Sequence, residues 1–198
     1  MEFLVKSLAR RARAGDRDAA CRLLGMYYAD VFAYLRRLCG NRQDAEDLTQ
    51  QTFLKVWASL NGFAGNSKFS TWVYSIAHNN FIDRHRTNNG KMRFESAQWW
   101  QECADDSQSP FAIAAERQAA QRLYQAVDRL DDDKRYIVHL HYYQGLSLKE
   151  TAKVLGIATS TVKYRLREVL KILRVKMSTE QNESSQMRTI PIAKGETI

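Results

Sequence analysis

Between Ser147 and Leu173 the chain carries a pattern that few folds can accommodate. Ser147-Leu-Lys-Glu150 has the spacing of a capping box, in which the Ser147 hydroxyl accepts from the Glu150 amide and the Glu150 side chain bonds back to the Ser147 amide. The helix so started spans Leu148–Leu155, with Ala152 inward, and Gly156 supplies a turn. Thr159 or Ser160 caps a second helix that reaches about Val175, with Val162, Leu166, Val169, Leu170 and Leu173 on its apolar face. A short helix, a tight turn and a longer basic helix make a helix-turn-helix, whose second helix can enter a DNA major groove. Its exposed side offers Lys163, Tyr164, Arg165, Arg167 and Lys171 to phosphates or base edges. The same residues would also suit a two-helix hairpin with a solvated basic face.

The rest of the chain reads as helices too. Cys21–Leu38 places Leu23, Leu24, Tyr27, Tyr28, Val31, Leu35 and Leu38 at helical spacing. Asp44–Leu60 repeats the pattern with Ala45, Leu48, Thr52, Val56 and Leu60. Asp44 is expected to cap that helix, and Glu46 and Asp47 favour the positive end of its dipole. Ser70 caps a third helix, Thr71–Arg86, with Val73, Ile76, Ala77 and Phe81 inward. Ala114–Leu130 forms another, and Asp131–Asp133 opens the one before the helix-turn-helix. Only 9 glycines and 2 prolines punctuate 198 residues, which argues against a turn-rich sheet protein. The expected fold class is all-α, with two small helical domains. One spans residues 1–87 and the other 114–176. Between them lies a linker, 88–113, containing the polar stretches Thr87–Met92 and Glu102–Pro110 with Trp99 and Trp100 between them. Residues 177–198 read as a disordered tail.

Charge narrows the partner. Residues 1–90 and 121–175 each carry a net charge of +5, around a mildly acidic middle. Two basic blocks favour a polyanion, because neutralising phosphates releases condensed counterions, although a solvated basic surface remains open. The longest uncharged, partly apolar run, Phe69–Ile82, has 14 residues, short of the ~20 needed for a bilayer-spanning helix, so no stable membrane insertion is expected. Met1–Gly15 has no apolar stretch of the kind a secretory signal needs and reads as the first helix. The 3 cysteines, Cys21, Cys39 and Cys103, form no CxxC pair, so neither a disulfide framework nor a metal site is expected, and a reducing, cytoplasmic setting fits.

The first block differs from an ordinary DNA-binding domain. Its second helix shows an acid and amide face (Asp44, Glu46, Asp47, Gln50, Gln51), suited to a basic protein surface. Its third ends in His78, Asn79, Asn80, Arg84, His85 and Arg86, suited to nucleic acid. Aromatic residues crowd nearby. Phe53, Trp57 and Phe81 fit core positions, whereas Phe63 and Phe69 sit where a loop could offer them to an unstacked base.

These residues resemble a family. Asp44-Ala-Glu-Asp-Leu-Thr-Gln-Gln-Thr-Phe-Leu-Lys-Val-Trp57 is similar to the region 2 helix of bacterial extracytoplasmic-function sigma factors. Lys68-Phe-Ser-Thr-Trp-Val-Tyr-Ser-Ile-Ala-His-Asn79 is similar to the promoter-melting segment that follows it. Leu130 onward, through Gly145-Leu-Ser-Leu-Lys-Glu-Thr-Ala to Ser160-Thr-Val-Lys-Tyr-Arg-Leu166, resembles region 4. The resemblance implies that Asp44, Glu46, Asp47, Gln50, Gln51 and Leu54 dock on the clamp helices of the largest subunit of core RNA polymerase. It implies that the loop Asn61–Lys68 takes a flipped base of the −10 element. Phe63, Lys68, Phe69, Trp72, His78, Asn79, Asp83, Arg84 and Arg86 are the implied −10 DNA residues. Ser160, Thr161, Lys163, Tyr164, Arg165, Arg167 and Lys171 are those for the −35 element, with region 4 also docking on the polymerase flap. An anti-sigma factor is the implied inhibitor, and one seated in the inner membrane would hold the chain there.

The chain departs from the family pattern at several positions. Gln51 stands where Glu is frequent, Tyr164 replaces a common Ser, and Glu168 falls where a basic residue is usual. Glu168 would repel phosphate but could accept from a cytosine amino group. A stand-alone helix-turn-helix regulator that binds duplex DNA without polymerase is the alternative reading. An enzyme is disfavoured, since no phosphate-binding glycine loop or nucleophile–base pair appears and His139 and His141, two apart, face different sides of a helix. No cofactor is expected.

Overall fold

The computed structural model describes residues 2–87 and 120–187, with side chains through Met177. The expected linker 88–113, including Trp99, Trp100 and Cys103, and the final residues 188–198 lie outside the described residues. Among the described residues the chain is helical, with no strand. The first half holds α1 (Glu2–Arg13), α2 (Arg17–Cys39), α3 (Arg42–Ser59), a short 3₁₀ turn (Leu60–Gly62) and α4 (Phe69–Thr87). The second holds a helix over residues 120–128 (α5), then α6 (Asp132–Val138), which runs on into a π-helical turn (His139–Tyr143). The helix-turn-helix follows as α7 (Leu148–Leu155) and α8 (Thr159–Met187).

Local chemistry sets the boundaries. Gly15 adopts a left-handed φ of 94°, and Asp16 caps α2 by accepting from the Ala19 amide at 2.9 Å. Gly40, also left-handed at φ 75°, ends α2, and Asn41 caps α3 by accepting from the Asp44 amide at 2.8 Å. The expected cap on α3 therefore moves from Asp44 to Asn41. Asn41 has the extended backbone a cap requires, while Asp44 already lies one turn into the helix. The capping box on α7 forms as expected, with the Ser147 amide donating to Glu150 Oε2 at 2.8 Å and the Glu150 amide donating to Ser147 Oγ at 3.3 Å. Gly156 then turns the chain at φ 65°. Helix α8 continues to Met187, beyond the expected end near Val175.

The core explains how the halves are joined. Leu23, Val31, Leu35 and Leu38 of α2 meet Leu48 and Val56 of α3 and Val73, Ala77 and Phe81 of α4, with Leu8 of α1 closing one side. This same cluster takes in Tyr136 and Leu140 from the α6 segment, Leu146 and Val154. The six residues 135–140 are all buried, so the second half of α6 and the start of its π turn are covered on every side. Tyr136 and Leu140 point to the first half, Val138 packs with Val127 of α5, Leu130 just after it and Val169 of α8, and Ile137 packs with Ala152, Val162 and Leu166 of the helix-turn-helix. One short helix thus serves three clusters.

Leu140 sits where the halves share a core, completely buried. Leu140→Ala is expected to lower the unfolding free energy by about 2–5 kcal/mol, read by chemical denaturation. A loss near zero would show that this segment is not packed between the halves.

Candidate nucleic-acid interface

The acid and amide face of α3 divides in two. Asp44 turns inward, with Oδ2 accepting from Asn41 Nδ2 at 2.7 Å and Oδ1 accepting from Arg84 Nη2 at 2.7 Å. Glu46 pairs with Arg42 at 2.7 Å on the surface. Asp47, Gln50, Gln51 and Leu54 remain outward, Leu54 being 70% exposed. Trp57, expected in the core, is 44% exposed. The inward stripe of α3 is Leu48, Thr52 and Val56, which leaves Trp57 one residue, roughly 100°, off the core direction. It lies three residues beyond Leu54, on the same side of the helix. Tyr28 on α2, 46% exposed, stands over Phe53 with ring centroids 5.3 Å apart and was not singled out by sequence reasoning. Its place in the apolar spacing of α2 gave no sign that α3 would leave it uncovered.

The loop between α3 and α4 is an aromatic cluster rather than a set of free rings. Phe63 and Phe69 are buried, with Phe63 5.1 Å from Trp72 and 5.3 Å from Phe69, and Tyr27 5.4 Å from Phe69. The reading of Phe63 and Phe69 as open loop rings is corrected accordingly: each ring packs on the others, because α1 and α2 close over the loop. A cleft of ≈ 270 Å³ remains beside them, lined by Val5, Lys6, Tyr27, Phe63, Lys68 and Phe69 among others. It suits one small planar group rather than a large ligand.

Helix α4 sorts its polar residues by face. Asn79, Asp83 and Arg86 are exposed at i, i+4 and i+7, an outward stripe that begins at half-buried Trp72. Tyr74, His78 and Phe81 form the opposite stripe, against the second half. His78 is therefore not available to DNA here, contrary to the sequence expectation. Its Nδ1 lies 3.0 Å from the Tyr34 hydroxyl and its ring stands edge-on to Tyr136 at 5.0 Å. Arg84 is also turned away from the outward stripe, toward Asp44 and, at 3.8 Å, Asp47. Lys68 is exposed but paired with Glu150 of α7 at 3.0 Å.

On α8, Ser160, Lys163, Tyr164, Arg167 and Lys171 are exposed, and Thr161 is half-buried. Lys163, Arg167 and Lys171 recur every four residues and form one cationic stripe. Arg165 is drawn aside by Asp133 at 2.8 Å, and Glu168 accepts from the Tyr164 hydroxyl at 3.1 Å and lies 3.9 Å from Lys134. Each half thus presents one outward polar stripe. The halves are also clasped together: the Tyr74 hydroxyl donates to Gln144 Oε1 at 2.6 Å, and Lys153 Nζ donates to the Asn66 carbonyl at 3.3 Å. No group of three or more His, Cys, Asp or Glu among the described residues could hold a metal ion. No helix among them is long and apolar enough to cross a membrane.

Comparison with known proteins agrees with this division. The Sigma-70 region 2 family model matches residues 23–90, and the Sigma-70 region 4 model matches 120–173. The ECF RNA polymerase sigma factor SigW of Bacillus subtilis is 29% identical over 88% of this chain and 97% of its own length. SigX of the same organism is 30% identical over 81% of this chain and 84% of its own. Among solved structures, CnrH in complex with the cytosolic domain of CnrY shares the fold with a TM-score of 0.65 at 23% identity, covering 89% of this chain and 98% of that one. The sigma factor RpoE in complex with the anti-sigma factor NepR from Bartonella quintana gives 0.61 at 22% identity, covering 79% and 95%.

Burial holds the His78 imidazole neutral, with its pKa pushed down to about 4. The unfolded chain takes up that proton near pH ~6.5. The stability that neutral His78 contributes is therefore full above that pH and is lost as pH falls toward 4. Burial shifts His139 in the same direction, helped by Arg37 and Arg135. Unfolding free energy should fall from pH 7 to pH 5 more steeply in the wild type than in His78→Gln. Parallel slopes would mean that His78 is not held neutral.

Proposed function

The chain belongs to the extracytoplasmic-function sigma factors of the sigma-70 family, and from that premise we propose how its surfaces divide the work of directing core RNA polymerase to promoters. The observation that carries the reading is the pair of outward stripes, one on each matched region: Asn79, Asp83 and Arg86 on α4, and Lys163, Arg167 and Lys171 on α8. Residues 1–87 act as region 2, 114–176 as region 4, and 88–113 as the linker that lets the two read separate elements. The docking face for the clamp helices is Asp47, Gln50, Gln51 and Leu54, extended by Trp57 and Tyr28. Its acids meet basic groups and its apolar side chains supply buried area.

Melting of the −10 element follows from the geometry of the loop. Extruding a base costs a few kcal/mol of unstacking. The cleft beside Phe63 and Phe69 returns stacking on aromatic rings, with Lys68 and Lys6 at its edge to meet a phosphate. Asn79, Asp83 and Arg86 then follow the opened strand. On the −35 side, Ser160, Lys163, Tyr164, Arg167 and Lys171 face duplex DNA, and region 4 also meets the polymerase flap. Neither stripe is large, so affinity comes from polymerase holding both halves at once, which makes the second contact intramolecular. The chain makes and breaks no bond in this scheme. It works where polymerase works, in the cytoplasm.

In the clasped form Lys68 is engaged by Glu150 and the loop carbonyl of Asn66 by Lys153, so the halves must part before the −10 loop can take DNA. A protein that holds them together would block initiation, and the fold shared with the sigma factor RpoE, solved in complex with the anti-sigma factor NepR, supports an anti-sigma factor as that regulator.

The test is co-elution with core polymerase, followed by transcription from a responsive promoter. Asp47→Lys should abolish co-elution while leaving thermal unfolding unchanged, since Asp47 is half exposed and makes only the long contact to Arg84. Retained co-elution would remove Asp47 from the docking face. Lys171→Ala should weaken promoter binding on all sequences alike and lower the slope of log affinity against log salt by about 1, as for a lost phosphate contact. Tight binding of duplex DNA by the chain alone, with no affinity for polymerase, would favour the stand-alone regulator.

A further inference from the structure

The seam between α3 and α4 is polar at three levels. Asn80 donates to Thr52 Oγ1 at 3.1 Å and accepts from Lys55 Nζ, and one turn further along α4 Arg84 reaches Asp44. The last contact is the most enclosed ion pair of the seam, with the two side chains only 26% and 28% exposed. Both oxygens of Asp44 are used. Oδ1 takes Arg84, and Oδ2 takes Asn41, whose own Oδ1 caps α3. Each charge also suits its helix end, the carboxylate at the N-terminal turn of α3 and the guanidinium in the C-terminal turn of α4. A continuous Asn41–Asp44–Arg84 chain therefore ties the start of the docking helix to the end of the DNA-facing helix.

Arg84 is poorly placed to touch DNA. It follows Asp83 by one residue, so it is rotated roughly 100° from the Asn79–Asp83–Arg86 stripe. It lies behind the docking face, where Asp47 is its second carboxylate. Lys55 and Asn80 repeat the link lower on the seam, so α3 and α4 are held in one register by hydrogen bonds that are satisfied at one relative position. Apolar packing alone would tolerate small slides; directional bonds do not.

We propose that Arg84 is a positioning residue that acts through Asp44, fixing the angle at which α4 presents its outward stripe relative to the polymerase-bound face of α3. Arg84 and Asp44, both expected from sequence to touch partners, instead touch each other and transmit the docked geometry of α3 to the DNA-facing stripe. The inference rests on the functional reading above.

The experiment uses the full chain bound to core polymerase and a promoter whose −10 region carries a fluorescent base that reports opening. Arg84→Met and Asp44→Asn are made singly and together, and core affinity, thermal unfolding and promoter opening at saturating polymerase are measured. Each single change should lower opening about tenfold with core affinity unchanged, and the double should be no worse than either single, because both remove one coupled unit. The salt slope of promoter binding should equal that of the wild type. The double removes both charges of the enclosed pair and leaves only half-exposed Asp47 without its long contact to Arg84, so it also reports the result should a single variant unfold. If Arg84→Met lowered opening by the same factor in the Asp44→Asn background as in the wild type, so that the two losses multiplied, and the salt slope fell by about 1, Arg84 would be a phosphate contact and the proposal would be overturned. Unchanged opening in Arg84→Met would overturn it as well. If the wild type neither binds polymerase nor opens a promoter, the functional reading itself fails, which is distinct from either result.

Discussion

The structure depends on the burial of one short segment. Residues 135–140 have no solvent face, so the end of α6 and the start of its π turn are enclosed by partners, while Asp132 and Asp133 stay exposed. The segment organises α5, α7 and α8 around it through Val138 and Ile137, and its remaining face, Tyr136 and Leu140, is left for α4. The π turn that follows inserts an extra residue into the helical ladder, with the Gln144 amide donating to the His139 carbonyl. This extra step rotates the chain after Leu140 and brings Gln144 against Tyr74. The position of helix α8 relative to α4 is thus inherited from how a seven-residue helix and its π turn are packed.

Electrostatics then decides which cations are available. Arg84, Arg165 and Lys68 are each held by a carboxylate from another helix, whereas Lys163, Arg167, Lys171 and Arg86 face outward. A sequence count of basic residues treats all seven alike. The folded chain separates those that hold helices together from those left exposed on the surface. The acidic run Asp131–Asp133 shows the same economy, since it starts α6 near the positive end of its dipole and also turns Arg165 sideways.

The legible parts of the fold were those set by local rules. The capping box at Ser147, the turn at Gly156, the apolar spacing of α2 and α4 and the outward basic face of α8 depend on residues within a few positions of one another. What sequence could not show was which helix face would be covered by a distant helix. His78 looked like part of a polar DNA-facing cluster, yet it lies four residues from Tyr74 and three from Phe81, on the stripe that α6 covers. Trp57 looked like core because aromatic residues usually are, and its one-residue offset from Val56 carried the contrary signal. Asp44 reads as a cap and a partner contact, yet the cap falls to Asn41 three residues before it, and Arg84, 40 residues on, takes one of its oxygens. Phe63 and Phe69 are buried because α1 folds back over the loop, a contact that no short-range pattern encodes.

Glu150 closes the capping box of α7 and also holds Lys68, but these two tasks are separable. The bonds that start α7 lie wholly within Ser147–Glu150. Without Lys68 the helix keeps its own start signal and lacks only a partly exposed ion pair. The start of α7 is therefore independent of the clasp, whereas the Tyr136 and Leu140 face of the α6 segment is not, because it is part of the core of the first half.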